Sequence, residues 1–129
     1  MGEVMKLIPA AVGDWAACEP FLTAALAHTD EWQLPDVALA VLRGQVQLWI
    51  LRDQLGNIAG SLVLYIDQRP RKRMLNVLLF GGAGDWMSAI DQLIELAREN
   101  GCSSVTGSGR PGWVRKLGAI PAPHWEIKI

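Results

Sequence analysis

The apolar positions of this chain change period along its length, and the changes mark its elements. Val4 to Ile8 is a short apolar stretch that reads as a strand or an extended arm. From Pro20 the spacing is helical, with Phe21, Leu22, Ala25 and Leu26 on one stripe. Proline is tolerated in the first turn of a helix and disfavoured inside it. Pro20 is therefore expected to set the helix start, with Trp15 and Ala17 in a turn before it. Pro35 opens a second helix in the same way. Its expected buried face is Val37, Ala38, Val41 and Leu42, and Gly44 supplies the stop.

Strand periodicity follows. In Gln45–Asp53, Val46, Leu48 and Ile50 alternate with Gln45, Gln47 and Trp49. Gln54-Leu55-Gly56-Asn57 is a hairpin connection, with Gly56 at liberty to take positive φ. Ile58 to Asp67 returns, Gln68 to Arg73 turns again, and Met74 to Phe80 is an almost wholly apolar run. Such a run is expected of a central strand covered on both faces. Gly81-Gly82-Ala83-Gly84 then breaks the strand, and Asp85 is placed to cap a long helix. Trp86, Ile90, Leu93 and Ala97 form its apolar stripe. Ser88, Asp91, Gln92, Glu95 and Glu99 form its polar side, and Asn100-Gly101 ends it. Ser103 to Thr106 is a short strand, Gly107 to Gly112 a loop, Trp113 to Leu117 a single helical turn. Trp125, Ile127 and Ile129 alternate as a last strand. The stretch from Phe80 to Val105 is long enough for a right-handed crossover between parallel strands. The expectation is an α/β fold with a mixed, mostly antiparallel sheet and a long helix crossing over after the central strand.

Composition narrows the functional classes. Half of the 129 residues are hydrophobic and the net charge is −1, so a core can form and no general attraction to nucleic acid or anionic membrane exists. Six tryptophans in so short a chain point to a partner or a groove. Cys18 and Cys102 are expected as buried, reduced thiols, and with His28 and His124 the only histidines, no metal site is expected. The first ten residues have no charged segment leading into a long apolar run, so neither a signal peptide nor membrane association is expected.

The order of elements resembles the GNAT N-acetyltransferase fold over nearly the whole chain. The resemblance implies one GNAT-like domain over residues 1–129. It also implies acetyl-CoA held by backbone N–H groups at the start of the long helix, through the motif Gln/Arg-x-x-Gly-x-Gly/Ala. Ala97-Arg98-Glu99-Asn100-Gly101 is similar to the family's Ala-x-x-x-Gly and sets the register. Gly84 then falls on the central glycine, Gly81 where Gln or Arg is expected, and Trp86 where Gly or Ala is expected. An indole stands where backbone must approach phosphate, and Asp85 puts a negative charge beside an anion. Both oppose binding. Gly81, Gly82, Ala83 and Gly84 are thus a strand-to-helix turn or, if acetyl-CoA binds, its phosphate cradle.

The catalytic positions that the family implies are also altered. Met74 to Phe80 has no carboxylate, only Asn76 as a polar residue, and Val114 stands where the resemblance of Leu117-Gly118-Ala119 to the family's terminal motif puts a tyrosine acid. Asp67 and Tyr65 are the fallback base and acid, two residues apart on one strand and so on one face. Gln47-Leu48-Trp49 and Gly109-Arg110-Pro111-Gly112-Trp113, with the long helix between them, resemble small GNAT-like proteins encoded in bacteriophage structural-gene clusters. That resemblance implies a role in virion assembly or DNA delivery, and together with the altered site it gives the leading expectation: a catalytically silent component of virion structure or assembly, without a cofactor, working through contacts with other phage structural proteins in an oligomer or larger assembly. Its setting would be the bacterial cytoplasm or a virion assembled there. The alternative is an acyl-CoA-dependent N-acetyltransferase with an atypical site. Trp49, Arg110 and Trp113 are the candidate interface anchors, Arg110 and Trp113 having equal claim to a structural role. Arg69, Arg71, Lys72 and Arg73 are a solvated hairpin turn or a local contact to an acidic or phosphate-bearing partner.

Overall fold

The computed structural model describes residues 5–27, 29–82, 87–107 and 125–129. Its elements are β1 (Lys6–Pro9), a 3-10 turn (Val12–Asp14), α1 (Trp15–Leu26), α2 (Leu34–Leu42), β2 (Gln47–Arg52), β3 (Ile58–Arg69), β4 (Lys72–Gly82), α3 (Met87–Glu99), β5 (Ser104–Gly107) and β6 (Trp125–Lys128). The strands form one sheet in chain order. β1 to β4 are antiparallel neighbours, β4 and β5 are parallel, and β5 and β6 are antiparallel. The central strand and the crossover by the long helix are as the sequence pattern predicts.

The sheet is covered on both faces. α3 packs with Leu51, Leu62, Leu64, Leu75, Val77 and Val105 on one side. α1 and α2 pack with Val46, Ile50, Val63 and Leu79 on the other. Simple alternation would send Leu79 to the same side as Leu75 and Val77. The pairing shows why it does not: Val63 faces Leu79 but Leu64 faces Val77, so Leu78 is an extra residue in β4. This bulge inverts the alternation in the middle of the strand. An unbroken apolar run such as Met74–Phe80 carries no mark of that switch.

Several expectations are corrected. α1 begins at Trp15, and Pro20 lies inside it. Cys18 and Leu22 are fully buried at helical spacing, and that burial outweighs the donor lost at Pro20. Pro20 and Ala16, whose carbonyl lacks its helical partner as a result, are both exposed, so water can replace the bond. In α2 the buried residues are Val37 and Ala40, while Leu42 is 84% exposed. Five residues on from Val37, Leu42 has rotated well off the inward face. Finally, β3 and β4 extend into the expected turn, leaving only Pro70 and Arg71 between them. β4 also runs on through Gly81 and Gly82, which pair with Ser61 and Gly60.

The stripe of α3 is confirmed at Ile90, Leu93 and Ala97, with Ala89 added, while Trp86 lies outside the described residues. Gln92, expected on the polar side, instead binds the edge of the sheet. Its Oε1 accepts the Leu7 N–H at 2.7 Å, and its amide donates to the Met5 carbonyl at 2.6 Å. An edge strand exposes such backbone groups, and here one side chain answers two of them. Cys18 and Cys102 are both buried thiols. Burial pushes the Cys18 thiol above its ordinary range, and a hydrogen bond with Ser61 partly opposes the shift.

Candidate functional site

Side chains on the α1/α2 side of the sheet leave a cleft beyond the reach of those helices. β3 contributes Tyr65, Asp67 and Arg69, every second residue, and β4 contributes Lys72, Met74, Asn76 and, at the bulge, Leu78. Thr106 of β5 continues the floor, and Glu31, Trp32, Gln45 and Val46 line the rest. The volume is about 540 Å³, within the range of small-ligand sites.

The polar groups of the floor are bonded to one another. Arg69 meets Asp67 Oδ2 at 3.3 Å. Thr106 Oγ1 donates to Asn76 Oδ1 at 2.9 Å, across the β4–β5 pairing. Lys72 forms an ion pair with Glu126 of β6, and Ser104 Oγ donates to the same Glu126 oxygen at 2.9 Å. This last group ties three neighbouring strands. The bond from Lys72 holds the Glu126 carboxyl below its ordinary range, against burial, the next effect in size, and with help from Ser104. Burial, and then the charge of Asp67, push the Tyr65 phenol above its ordinary range, with Arg69 opposing. Tyr65 is protonated at physiological pH, as an ordinary tyrosine is, and the shift makes it a weaker acid.

The Glu126 tie predicts a pH dependence. Its folded pKa lies below the unfolded value of roughly 4.3, so its contribution is complete above that value and is lost as pH falls through the folded one. Lys72→Met is expected to flatten this part of the stability curve. Urea midpoints measured from about pH 7 to about pH 3 would show it, and an unchanged slope would contradict the tie.

The structure brings Tyr65 and Asp67 together in the cleft, as their spacing implies. Gly81 and Gly82 are not part of a loop. A Cβ on Gly81 would lie 2.0 Å from the Phe21 carbonyl oxygen, so this glycine serves the contact of α1 with β4. Ala83, Gly84, Asp85, His28, His124, Arg110, Trp113 and Val114 lie outside the described residues, as does the expected turn of helix at Trp113–Leu117. Trp49 is half-buried, and its side of β2 is not a polar face: it packs beside the α3-side core while its Nε1 donates to Gln47 Oε1 at 2.9 Å. Of the four cations at the β3–β4 turn, Arg69 and Lys72 have the partners given above. Arg73 donates to the Asn100 carbonyl at 2.7 Å and to Gln68 Oε1 at 2.9 Å, and Arg71 is exposed in the turn. Among the described residues no cluster of three or more metal-binding side chains occurs, and no helix is long and apolar enough to cross a membrane.

Sequence reasoning missed Trp32, Thr106 and Glu126. Asn76 carried a usable signal, as the lone polar residue in an apolar strand, and Glu126 carried another, alternating with Trp125 and Ile127. What joins Asn76, Thr106 and Glu126 is a register across three strands, which no local pattern contains.

The sheet order, the bulged central strand and the crossover helix define the GNAT N-acetyltransferase fold. The chain is similar to a GNAT family acetyltransferase from Brucella melitensis solved with acetyl-CoA, at 12% identity and a TM-score of 0.69 over 97% of this chain and 88% of that one. It is also similar to an acetyltransferase from Trypanosoma brucei, at 18% identity and a TM-score of 0.61 over 92% of this chain and 94% of that one. A third likeness is to a GCN5-related N-acetyltransferase from Kribbella flavida, at 19% identity and a TM-score of 0.60 over 80% of this chain and 70% of that one. At these identities the likeness is one of fold. No protein-family model matches the sequence, and no curated protein matches it.

Proposed function

We propose that this GNAT-fold chain does not transfer acetyl groups and acts through contacts with other proteins, as a component of bacteriophage virion structure or assembly. The observation that carries the reading is the state of the cleft. On its sheet floor Asp67 meets Arg69 and Asn76 meets Thr106, and the neighbouring Glu126 is held by Lys72 and Ser104, while Glu31 also lines the cleft. A general base must be able to take a proton from its substrate. Here the two acids of the sheet itself, Asp67 and Glu126, each lie against one of the chain's own cations. The short segments around Trp49 and Arg110–Trp113 support the phage setting through their likeness to proteins of structural-gene clusters. Fold alone does not fix activity.

A second reading keeps the family chemistry. Tyr65 and Asp67 open onto one cleft of about 540 Å³, and the phenol is held neutral, as a proton donor to a leaving thiolate must be. In that reading acetyl-CoA would be held near Gly81–Gly84. Calorimetry with acetyl-CoA separates the two. The first reading expects no binding at ligand concentrations of about 1 mM, on the order of −4 kcal/mol or weaker. A micromolar constant would favour the second.

A further inference from the structure

We propose that the cleft over β3 and β4 receives an arginine side chain carried by a partner protein, and that Arg69 fills its place in the free chain. The proposal rests on the reading of the chain as an assembly component and names what one of its contacts recognises. Asp67 and Arg69 are unequal partners: the Asp67 side chain is 26% exposed and that of Arg69 67% exposed. Both contacts of the guanidinium, from Nε at 3.4 Å and Nη2 at 3.3 Å, fall on the one oxygen Oδ2. Good charge-assisted bonds are nearer roughly 2.7–2.9 Å and use both carboxylate oxygens. A long, exposed pair of this kind contributes little and exchanges readily for a better one.

The surroundings of Asp67 fit a planar cation. Trp32 and Tyr65 line the same cleft, and Met74 and Leu78 add apolar surface. A guanidinium can lie on an aromatic face while its fork meets a carboxylate, which the compact ammonium of lysine cannot do as well. The other cation of the floor, Lys72, is neutralised by Glu126 and does not oppose the newcomer. A protein source is favoured over a free small cation because the cleft has room and apolar lining for the residues that flank an arginine. The chain's net charge of −1 gives no field to gather free cations.

The test uses the full chain and three probes: N-acetylarginine methylamide, its uncharged citrulline counterpart, and a blocked Leu-Arg-Leu tripeptide. The Trp32 indole N–H resonance, assigned through Trp32→Phe, reports occupancy. The arginine probe is expected to shift it and the citrulline probe to leave it unmoved. Arg69→Gln removes the intramolecular competitor and is expected to tighten arginine binding about two- to fivefold. Asp67→Asn should abolish it, and the tripeptide should bind about tenfold more tightly than the single residue. Equal binding of citrulline, or unchanged or weaker binding in Arg69→Gln, would overturn the proposal. A tripeptide no tighter than the single residue would overturn it too, making the cleft a site for a free cation. None of these failures bears on acetyl-CoA binding, so the assembly reading stands or falls separately.

Discussion

Leu93→Asp is expected to leave no folded protein at room temperature. Leu93 is fully buried under α3, within the cluster that includes Leu62, Leu75 and Val105. An aspartate there loses the transfer free energy of the leucine and buries a carboxylate with no partner. The second cost alone is on the order of several kcal/mol, against a total stability of about 5–15 kcal/mol. Leu93→Ala gives the graded version, a loss of about 2–5 kcal/mol from the transfer and cavity terms together. Circular dichroism and urea unfolding of both variants check the series. A Leu93→Asp protein that melts like the parent would contradict the packing of α3 on the sheet.

Gly81→Ala is expected to cost about 3 kcal/mol, an unusual penalty for one methyl group. The added carbon would sit 2.0 Å from the Phe21 carbonyl oxygen and 2.7 Å from its carbon. These are backbone atoms in the middle of α1, so no rotamer change relieves the overlap and the helix must lift from β4. Its burial of Cys18 and Leu22 would loosen with it. Gly13→Ala is the control: nothing lies within 4 Å of a Cβ there. Its effect is expected within about 0.5 kcal/mol. Equal urea midpoints for the two variants would show that α1 does not rest on Gly81.

Gly81 also illustrates what the sequence could and could not convey. Four small residues before a long helix read as a turn, and the fold resemblance offers a phosphate cradle. The structure gives Gly81 a third role, close packing, which depends on a helix some sixty positions earlier in the chain. Pro20 was misleading for a related reason: local preference put it at a helix start, while burial of Cys18 and Leu22 extended the helix past it. Leu42 was grouped with the inward face by hydrophobicity, although the helical angle turns it outward.

The elements themselves were legible where the period was clean. Alternation in β2 gave its type directly, and the stripe of Ile90, Leu93 and Ala97 gave both type and orientation. Half of the cleft was legible too, because Tyr65 and Asp67 share a strand and hence a face. The other half was not. Thr106 reaches Asn76 through parallel pairing of β4 with β5, and Glu126 reaches Lys72 across three strands. Register of that kind is settled by the whole sheet rather than by any segment. The bulge at Leu78 is similarly silent in sequence, yet it turns Leu79 toward α1 and lets Leu78 border the cleft.

In the proposed reading, the pairing within the cleft is what limits proton transfer. Asp67 meets Arg69 through Oδ2, and Glu126 is held by Lys72 and Ser104. The thiol released from acetyl-CoA is the direct measure, followed with the purified chain and with amines, peptides and aminoglycosides as acceptors. The account predicts no release above the rate without protein. Turnover that disappears in a folded Asp67→Asn variant would contradict it and make the chain an enzyme.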